Sequence, residues 1–176
     1  NKQFYLNVII CLALKDYLTE KTRDIIHIKW PNDILVHEKK ISGVLIENQL
    51  QGARIFNAVV GVGMNINQKA FGTPTATSLS LITTSDHDLS EELSQLLSFM
   101  EGRYLQLRAG DDDLLLEEYL ARLYRRHQKH LYSSKGSTFE GEILDLDEWG
   151  RLRVRTNDGV RVFDVKEIRY EGDQNQ

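Results

Sequence analysis

The chain has 176 residues, of which 41% are apolar and 27% are charged, and its formal net charge at pH 7 is −4. This length and composition are those of an ordinary soluble protein with one sizeable core and room for a small second one. The longest apolar stretch near the start, residues 8–14, is far shorter than the roughly 20 residues that span a bilayer, so we expect no membrane association.

The charge is unevenly distributed along the chain. Residues 136–176 contain six Lys/Arg and ten Asp/Glu, so this segment carries the whole net charge and residues 1–135 are neutral. An acidic segment repels nucleic-acid phosphates, and the sequence has no helix-turn-helix pattern, so we expect no nucleic-acid partner. Cys11 is the only cysteine, which excludes an internal disulfide, predicts a packing role and suits a reducing cytoplasm.

The first predicted elements are a helix and a strand. Apolar residues recur at intervals of three and four over residues 4–18, which predicts a largely buried helix. Residues 25–29 are predicted to form a strand that enters the segment KWPND, residues 29–33. Pro31 removes a backbone donor and disfavours helical geometry at Trp30, so this segment should form an extended elbow.

A β-hairpin is predicted directly after the elbow. Residues 34–36 and 41–46 are rich in β-branched side chains and flank the polar residues 37–40. Residues 54–64 predict a further strand that is buried on both faces, a prediction based on Val59, Val60 and Val62. Residues 68–87 contain Pro74 and many Ser and Thr, and they predict a loop.

Two helices are predicted after the loop. Asp88 to Glu91 has the form of a capping box at the start of the first, and Asp112 opens the second. The apolar positions expected to face inward are Leu93, Leu96, Leu97, Met100, Tyr104 and Leu107 in the first helix, and Leu115, Leu116, Tyr119, Leu120, Leu123 and Tyr124 in the second. A cationic last turn complementing the helix dipole is expected from Arg122, Arg125, Arg126 and Lys129. A solvated helix end explains this cluster better than contact with phosphate or an acidic carrier protein.

The C-terminal part is predicted to be a separate β unit. The polar residues 133–136 resemble a linker. Four short alternating runs beyond them are predicted strands, at residues 139–146, 152–156, 160–165 and 168–170. Asp158-Gly159 predicts a hairpin with a type I′ turn. Strands of this number and length predict a small closed barrel, and we expect two domains, residues 1–132 and 136–172.

Three motifs carry the functional prediction: KWPND at residues 29–33, KISGVLIE at residues 40–47 and GVGMNIN at residues 61–67. The elbow and the hairpin would bring lysine, aspartate and asparagine side chains together around a charged ligand. The third motif is not a dinucleotide fingerprint, because its third glycine is missing and no helix follows. In this order and spacing the motifs resemble those of the biotin protein ligases, and the resemblance covers both parts of the chain.

The resemblance implies both a fold and a reaction. The fold is an α/β (α+β) core related to class II aminoacyl-tRNA synthetases, with a mixed sheet and helices, followed by a small SH3-like β-barrel. The reaction is that of a cytoplasmic ligase that adenylates biotin with ATP and Mg²⁺ and transfers it to a lysine of a biotin carboxyl carrier protein. Whether the protein forms a homodimer is left open. No metal site made of protein ligands is predicted, because His127 and His130 have no companion ligands.

Chemistry and resemblance together select the predicted catalytic residues, Lys40 and Asp33. Two unit charges about 4 Å apart repel by roughly 4 kcal/mol at an effective dielectric near 20, so bringing a carboxylate against a phosphate requires a fixed cation. Lys40 matches the lysine that contacts both anions in relatives. Asp33 would orient the ligand, hold the metal through water or accept a proton from the carrier lysine, and these three roles stay open.

Five more residues are predicted to bind the ligands. Asn32 offers donors and an acceptor for the edge of an adenine. The resemblance implies that Asn65 helps to hold the nucleotide and its metal-bound phosphates. Gly43 is expected, like Gly61, to allow close approach of the backbone in a strand beside a ligand. Lys29 and Trp30 flank the elbow, where Trp30 is either a core residue or a wall of the ligand site.

Two alternatives to the ligase remain. One is a lipoyl or octanoyl transferase of the same fold, against which the pairing of the first and third motifs argues. The other is a non-catalytic carrier-docking module, because the glycine- and arginine-rich biotin-binding segment that the family carries before KWPND is not found in this sequence. On that ground we expect a core that is truncated at its N-terminal side, binds biotin poorly by itself and is incomplete as an enzyme.

Overall fold

The computed structural model describes residues 2–51 and 54–172, which form two β-sheets and four helices. The helices are α1 (Lys2–Thr22), α2 (Leu79–Thr83), α3 (Leu89–Ala109) and α4 (Asp112–Ala121). The strands are β1 (Ile26–Lys29), β2 (Asp33–Val36), β3 (Lys39–Gln51), β4 (Arg54–Met64), β5 (Lys129–Ser134), β6 (Ser137–Leu146), β7 (Leu152–Thr156), β8 (Gly159–Phe163) and β9 (Arg169–Tyr170).

The first sheet has the strand order β1-β2-β3-β4, and its strands pair antiparallel throughout. The predicted hairpin is confirmed, but its turn has two residues rather than four, because Lys39 and Lys40 already belong to β3. His37 and Glu38 have φ values of 48° and 61°, as in a type I′ turn. Parallel contacts are limited to isolated bridges such as Lys40 with Ala76, so the mixed sheet expected from the resemblance is not seen among the described strands.

Helix α1 lies in the centre of the core. Val8, Cys11, Leu12 and Leu14 have no exposed surface, which confirms the predicted burial. Apolar residues surround the middle of the helix, and the first sheet, α3 and α4 cover it on different sides. Burial raises the pKa of the Cys11 thiol, as expected for a cysteine that only packs.

The strand β4 is confirmed, but its predicted burial on both faces is wrong. Val59 is 55% exposed and Val60 is 38% exposed. Residues 59, 61 and 63 of an extended strand share one face, and two of them are glycines, so this face has little side-chain surface to pack. Within the described part of the chain, no element covers it.

Helix α3 begins where the sequence predicts. The carboxylate of Asp88 caps it and accepts a hydrogen bond of 2.9 Å from the backbone N–H of Ser90. Its predicted apolar face is only partly buried: Leu96 is 8% exposed, whereas Leu93 and Leu97 are more than half exposed. An apolar groove therefore remains open between α3 and the edge strand β4.

Helix α4 buries Leu115 and Tyr119, as the periodicity predicted, whereas Leu116 and Leu120 are only partly buried. It ends at Ala121, however, so the predicted cationic last turn is wrong. The chain leaves the helix because it pairs with β1: the N–H of Ile28 donates to the carbonyl of Arg122 at 2.8 Å. The basic residues that follow lie in turns and in β5 rather than on a helix.

The second sheet has the strand order β8-β7-β6-β5-β9. Residues 133–136, predicted to be a linker, are the end of β5 and a two-residue turn to β6, so that prediction is wrong. Lys135 and Gly136 have φ values of 50° and 81°, which gives a type I′ turn where the composition indicated a loose segment. The hairpin at Asp158 is confirmed, but only Gly159 has a positive φ there, 117°, so the predicted type I′ turn is wrong.

The second sheet is open, since no pairing joins β8 to β9 in the described part of the chain. The closed barrel is therefore not confirmed. One continuous cluster of buried apolar residues extends from α1 through the first sheet to Phe163, Ile168 and Tyr170. No helix among the described residues is long and apolar enough to cross a membrane.

Candidate active site

An open cleft of about 600 Å³ lies on the first sheet, where the three sequence motifs meet. Its lining residues are Asn32, Asp33, Lys40, Gly43, Val44, Leu45, Gly61, Val62 and Gly63. The strand register explains the convergence, because Asp33 pairs with Gly43 and Gly43 pairs with Gly63 across three neighbouring strands. The glycines leave the floor without side chains, and the volume is in the range of small-molecule sites.

The polar end of the cleft is an ion pair between the two predicted catalytic residues. The Lys40 Nζ lies 2.6 Å from the Asp33 Oδ1, and the two side chains are 45% and 29% exposed. A Cβ on Gly43 would lie 3.1 Å from that oxygen and 3.3 Å from the Lys40 Cε. Gly43 therefore gives the ion pair its space, and close approach of a ligand to this glycine stays a prediction.

The backbone of Lys40 is held by the segment between β4 and α2. The N–H of Lys40 donates to the Thr75 carbonyl at 2.8 Å, and the N–H of Thr77 donates to the Lys40 carbonyl at 3.0 Å. Asn65, predicted to bind the nucleotide, donates from its side chain to the Thr77 carbonyl at 3.0 Å. Asn65 thus fixes the segment behind Lys40 and is not among the residues that line the cleft.

The elbow is held from several directions. The carbonyl of Pro31 accepts hydrogen bonds from the Asn7 side chain at 2.7 Å and from the Tyr119 hydroxyl at 2.8 Å. The side-chain amide of Asn32 donates to the Val44 carbonyl. The backbone carbonyl of Asn32 accepts from the Val44 N–H at 3.1 Å. Because one N–H of the Asn32 amide is engaged with β3, the side-chain oxygen and the second N–H are the groups that it can offer to a ligand.

The other two elbow residues face the second sheet. Trp30 is 5% exposed, and its indole N–H donates to the Gly150 carbonyl at 3.0 Å. The ammonium of Lys29 lies 4.8 Å from the centre of the Tyr170 ring. Neither residue lines the cleft, so of the two interpretations of Trp30, the structure places it in the core.

A second charged cluster, which the sequence did not reveal, is buried between α1 and α3. The Glu92 carboxylate accepts from Tyr17 at 2.7 Å and pairs with Lys21 at 2.6 Å and with His87 at 2.8 Å. Burial by itself raises the pKa of Glu92, but the hydrogen bonds from Lys21, Tyr17 and His87 outweigh it and hold the pKa below its usual value. No single segment could have indicated this cluster, since its members come from two separate parts of the chain, one in α1 and one at the start of α3.

Comparison with known proteins assigns the class. Residues 2–65 match the model of the Biotin/lipoate A/B protein ligase family. The bifunctional ligase/repressor BirA of Bacillus subtilis is 29% identical over 164 residues, which are 89% of this chain and 50% of that protein. The biotin–[acetyl-CoA-carboxylase] ligase of Mycobacterium tuberculosis is 32% identical over 126 residues, which are 71% of this chain and 46% of that protein.

Solved structures agree with the sequence matches. The apo biotin protein ligase of Aquifex aeolicus is 25% identical, with a TM-score of 0.78 over 94% of this chain and 74% of that one. The same ligase in complex with biotin and ATP gives a TM-score of 0.76 over 95% and 72%.

These matches place the chain among proteins with the biotin/lipoate ligase fold. Within that class, the relatives and solved structures described above are named as biotin ligases, which confirms the resemblance found in the sequence. The chain spans about half the length of the two sequence relatives described above.

Proposed function

We propose that the chain is the catalytic part of a ligase that adenylates biotin with ATP and transfers the biotin to a lysine of a carrier protein. The observation that carries this proposal is the ion pair of Lys40 with Asp33 in a glycine-floored cleft built from all three motifs. The Aquifex ligase of similar fold is known in complex with biotin and ATP, which supports the same two ligands here.

The adenylation step requires a movable cation on a fixed backbone. A carboxylate oxygen of biotin attacks the α-phosphorus of ATP, and the bond to the β-phosphate breaks to release pyrophosphate. An electrostatic donor aimed at the developing charge typically contributes about 10²- to 10³-fold in rate. Lys40 is suited to this role, because two backbone hydrogen bonds fix its main chain while almost half of its side chain is exposed.

Asp33 acts before adenylation and again in the transfer step of this proposal. Before substrates bind, it holds the Lys40 ammonium at the edge of the cleft. Once the anionic substrates attract Lys40, the Asp33 carboxylate becomes available as a base. In the second step the carrier lysine amine attacks the acyl carbon, an amide bond forms, AMP leaves, and Asp33 accepts the proton that the amine loses.

The side chains of the cleft also fit a magnesium ion that arrives with ATP. Mg²⁺ is typically held by one or two carboxylates together with substrate phosphates and water, and when bound it neutralises phosphate charge. Asp33 and the side-chain oxygen of Asn32 are hard oxygen ligands at this place. Among the described residues no group of three or more potential metal-binding side chains was found.

The remaining parts of the proposal concern assembly. The names of the relatives support a biotin carboxyl carrier protein as the partner. The strand order and small size of the second sheet support an SH3-like unit. We propose that the boundary between two domains lies at residues 122–128 rather than 133–136, because β5 pairs with β6 and β9. A homodimer and a cytoplasmic location stay predictions.

The alternative acid substrate is lipoate, because the matching family model covers both kinds of ligase. Relatives named as biotin ligases, at 29% and 32% identity, favour biotin. The test is pyrophosphate release by the intact protein with ATP and either biotin or lipoate. We expect release with biotin and little with lipoate, and the reverse preference would contradict the proposal.

A further inference from the structure

The elbow that presents Asn32 and Asp33 is joined to a tight turn of the second sheet through a buried hydrogen bond. The indole N–H of Trp30 donates to the Gly150 carbonyl at 3.0 Å, across 120 positions of sequence. Trp30 is 5% exposed, so water cannot easily replace this bond. The cleft begins only two residues further along the chain, at Asn32.

The turn is built so that the Gly150 carbonyl has one orientation. The Asp147 carboxylate accepts from the backbone N–H groups of Trp149 and Arg151, each at 2.9 Å, and from the Arg151 side chain at 2.8 Å. Gly150 has a φ of 80°, and its own N–H donates to the Asp147 carbonyl at 2.9 Å. These bonds fix the turn from within, independently of the elbow.

Glycine is required at position 150 for a second reason. A Cβ there would lie 2.4 Å from atoms of the Phe4 ring, which is closer than real contacts allow. The Phe4 ring also packs edge-on against Tyr119, with ring centres 5.9 Å apart. Tyr119 in turn donates to the Pro31 carbonyl, so the elbow, α1, α4 and the turn meet at one packed point.

We propose that Asp147 and Gly150 of the second sheet, with Trp30, are positioning residues for the cleft. The turn sets the direction of the Gly150 carbonyl, the carbonyl sets the indole, and the indole fixes the elbow that carries Asn32 and Asp33. Trp30 then contributes to the reaction without touching the ligands. This inference rests on the adenylation proposed above, and it gives the second sheet a defined role in that reaction.

The test compares Trp30→Phe and Asp147→Ala with Trp149→Phe as the matched control. Trp30→Phe removes the indole N–H and keeps most of the packing, and Asp147→Ala loosens the turn without changing the core. Trp149 is adjacent to Gly150, but its side chain is 57% exposed and has no role in the proposal. In pyrophosphate release with biotin and ATP, each test variant should lower kcat between about threefold and tenfold, the effect of one lost hydrogen bond.

Non-additivity separates positioning from a general loss of stability. Since both changes act through the same bond, the double variant should be no slower than the slower single variant. The control should keep the kcat of the starting protein. Losses of kcat that add up in the double variant would overturn the inference. Folded single variants that keep the full kcat would also overturn it.

A readout without activity distinguishes failure of this inference from failure of the proposed function. The N–H of Val44 donates to the Asn32 carbonyl, so its hydrogen exchange reports whether the elbow stays docked on β3. Exchange should accelerate in both test variants and stay unchanged in the control. Unchanged protection of Val44 would refute the positioning role. Accelerated exchange in a protein that releases no pyrophosphate would keep the positioning role and refute the ligase.

Discussion

Two lysine–carboxylate pairs with the same 2.6 Å separation lie in different environments. Lys40 and Asp33 are 45% and 29% exposed, beside glycines and at the edge of an open cleft. Lys21 and Glu92 are 19% and 8% exposed, and the Glu92 carboxylate also accepts a hydrogen bond from Tyr17. Distance alone does not tell a reactive pair from a structural one.

The two ion pairs differ in whether the lysine can leave its carboxylate for another partner. The Lys40 ammonium can leave Asp33 for an anionic ligand, because solvent and bare glycine backbone surround it. Lys21 cannot leave Glu92 without exposing a buried carboxylate to an apolar groove. We therefore expect changes at Glu92 to act on folding and changes at Lys40 to act on the reaction.

The largest effect on stability is expected at the buried pair. Glu92→Ala removes the acceptor of three side chains and leaves the Lys21 ammonium without its partner. Breaking a buried pair typically costs about 3 to 5 kcal/mol, which we expect in the free energy of unfolding measured with denaturant. A loss below about 1 kcal/mol would contradict the structural role of this pair.

The buried pair also predicts a dependence of stability on pH. The pKa of Glu92 is lower in the folded chain than the unfolded value of about 4.3, so its contribution is fully present above that pH. The contribution is lost as the pH falls from there through the lowered folded pKa, because the unfolded chain then binds the proton more readily. Denaturant titrations at several pH values should show this loss.

Glu92→Gln is the control for that titration, since it cannot ionise. Its stability should fall less steeply below pH 4.3 than that of the starting protein. If the stability of both proteins falls equally with pH, another carboxyl group, such as Asp147, is responsible for the acid sensitivity.

A smaller effect is expected from Gly43→Ala, which places a methyl group 3.1 Å from the Asp33 Oδ1. The ends of two flexible side chains can move aside, so stability should change by less than about 1 kcal/mol. The ion pair would no longer lie where the substrates require it, and we expect roughly a tenfold loss of pyrophosphate release. Gly72→Ala is the control, because a Cβ at Gly72 meets nothing within 4 Å.

The smallest effect is expected for the stability of Lys40→Ala. A partly exposed pair contributes about 0 to 1 kcal/mol, so the free energy of unfolding should stay within that range of the starting protein. A loss of unfolding free energy as large as that of Glu92→Ala would contradict the distinction between the two ion pairs.

The part of the site that lies within one hairpin could be predicted from the sequence. Asn32, Asp33, Lys40 and Gly43 are close in sequence, and the alternation of the strands sets their register, so local pattern was enough to bring them together. Lys29 and Trp30 belong to the same motif, yet their partners Tyr170 and Gly150 are more than 100 positions away. No local pattern could indicate that they turn away from the cleft.

The errors in the fold have similar causes. Composition indicated a linker at residues 133–136, but the last two of these residues adopt the positive φ values of a tight hairpin turn. Burial of Val59 and Val60 was inferred from side-chain type, whereas exposure depends on what covers a sheet face. The second predicted helix extends beyond the end of α4, because pairing with β1 ends the helix at Ala121.

The most direct test of the central claim is the rate of biotinyl-AMP formation by Lys40→Ala in the intact protein. Lys69→Ala is the matched control, since Lys69 and Asp86 form an ion pair of 2.7 Å with both side chains 67% exposed. We predict a loss of about 10²- to 10³-fold for Lys40→Ala and an unchanged rate for the control. A folded Lys40→Ala protein that forms biotinyl-AMP at the rate of the control would contradict the assignment of the cleft as the adenylation site.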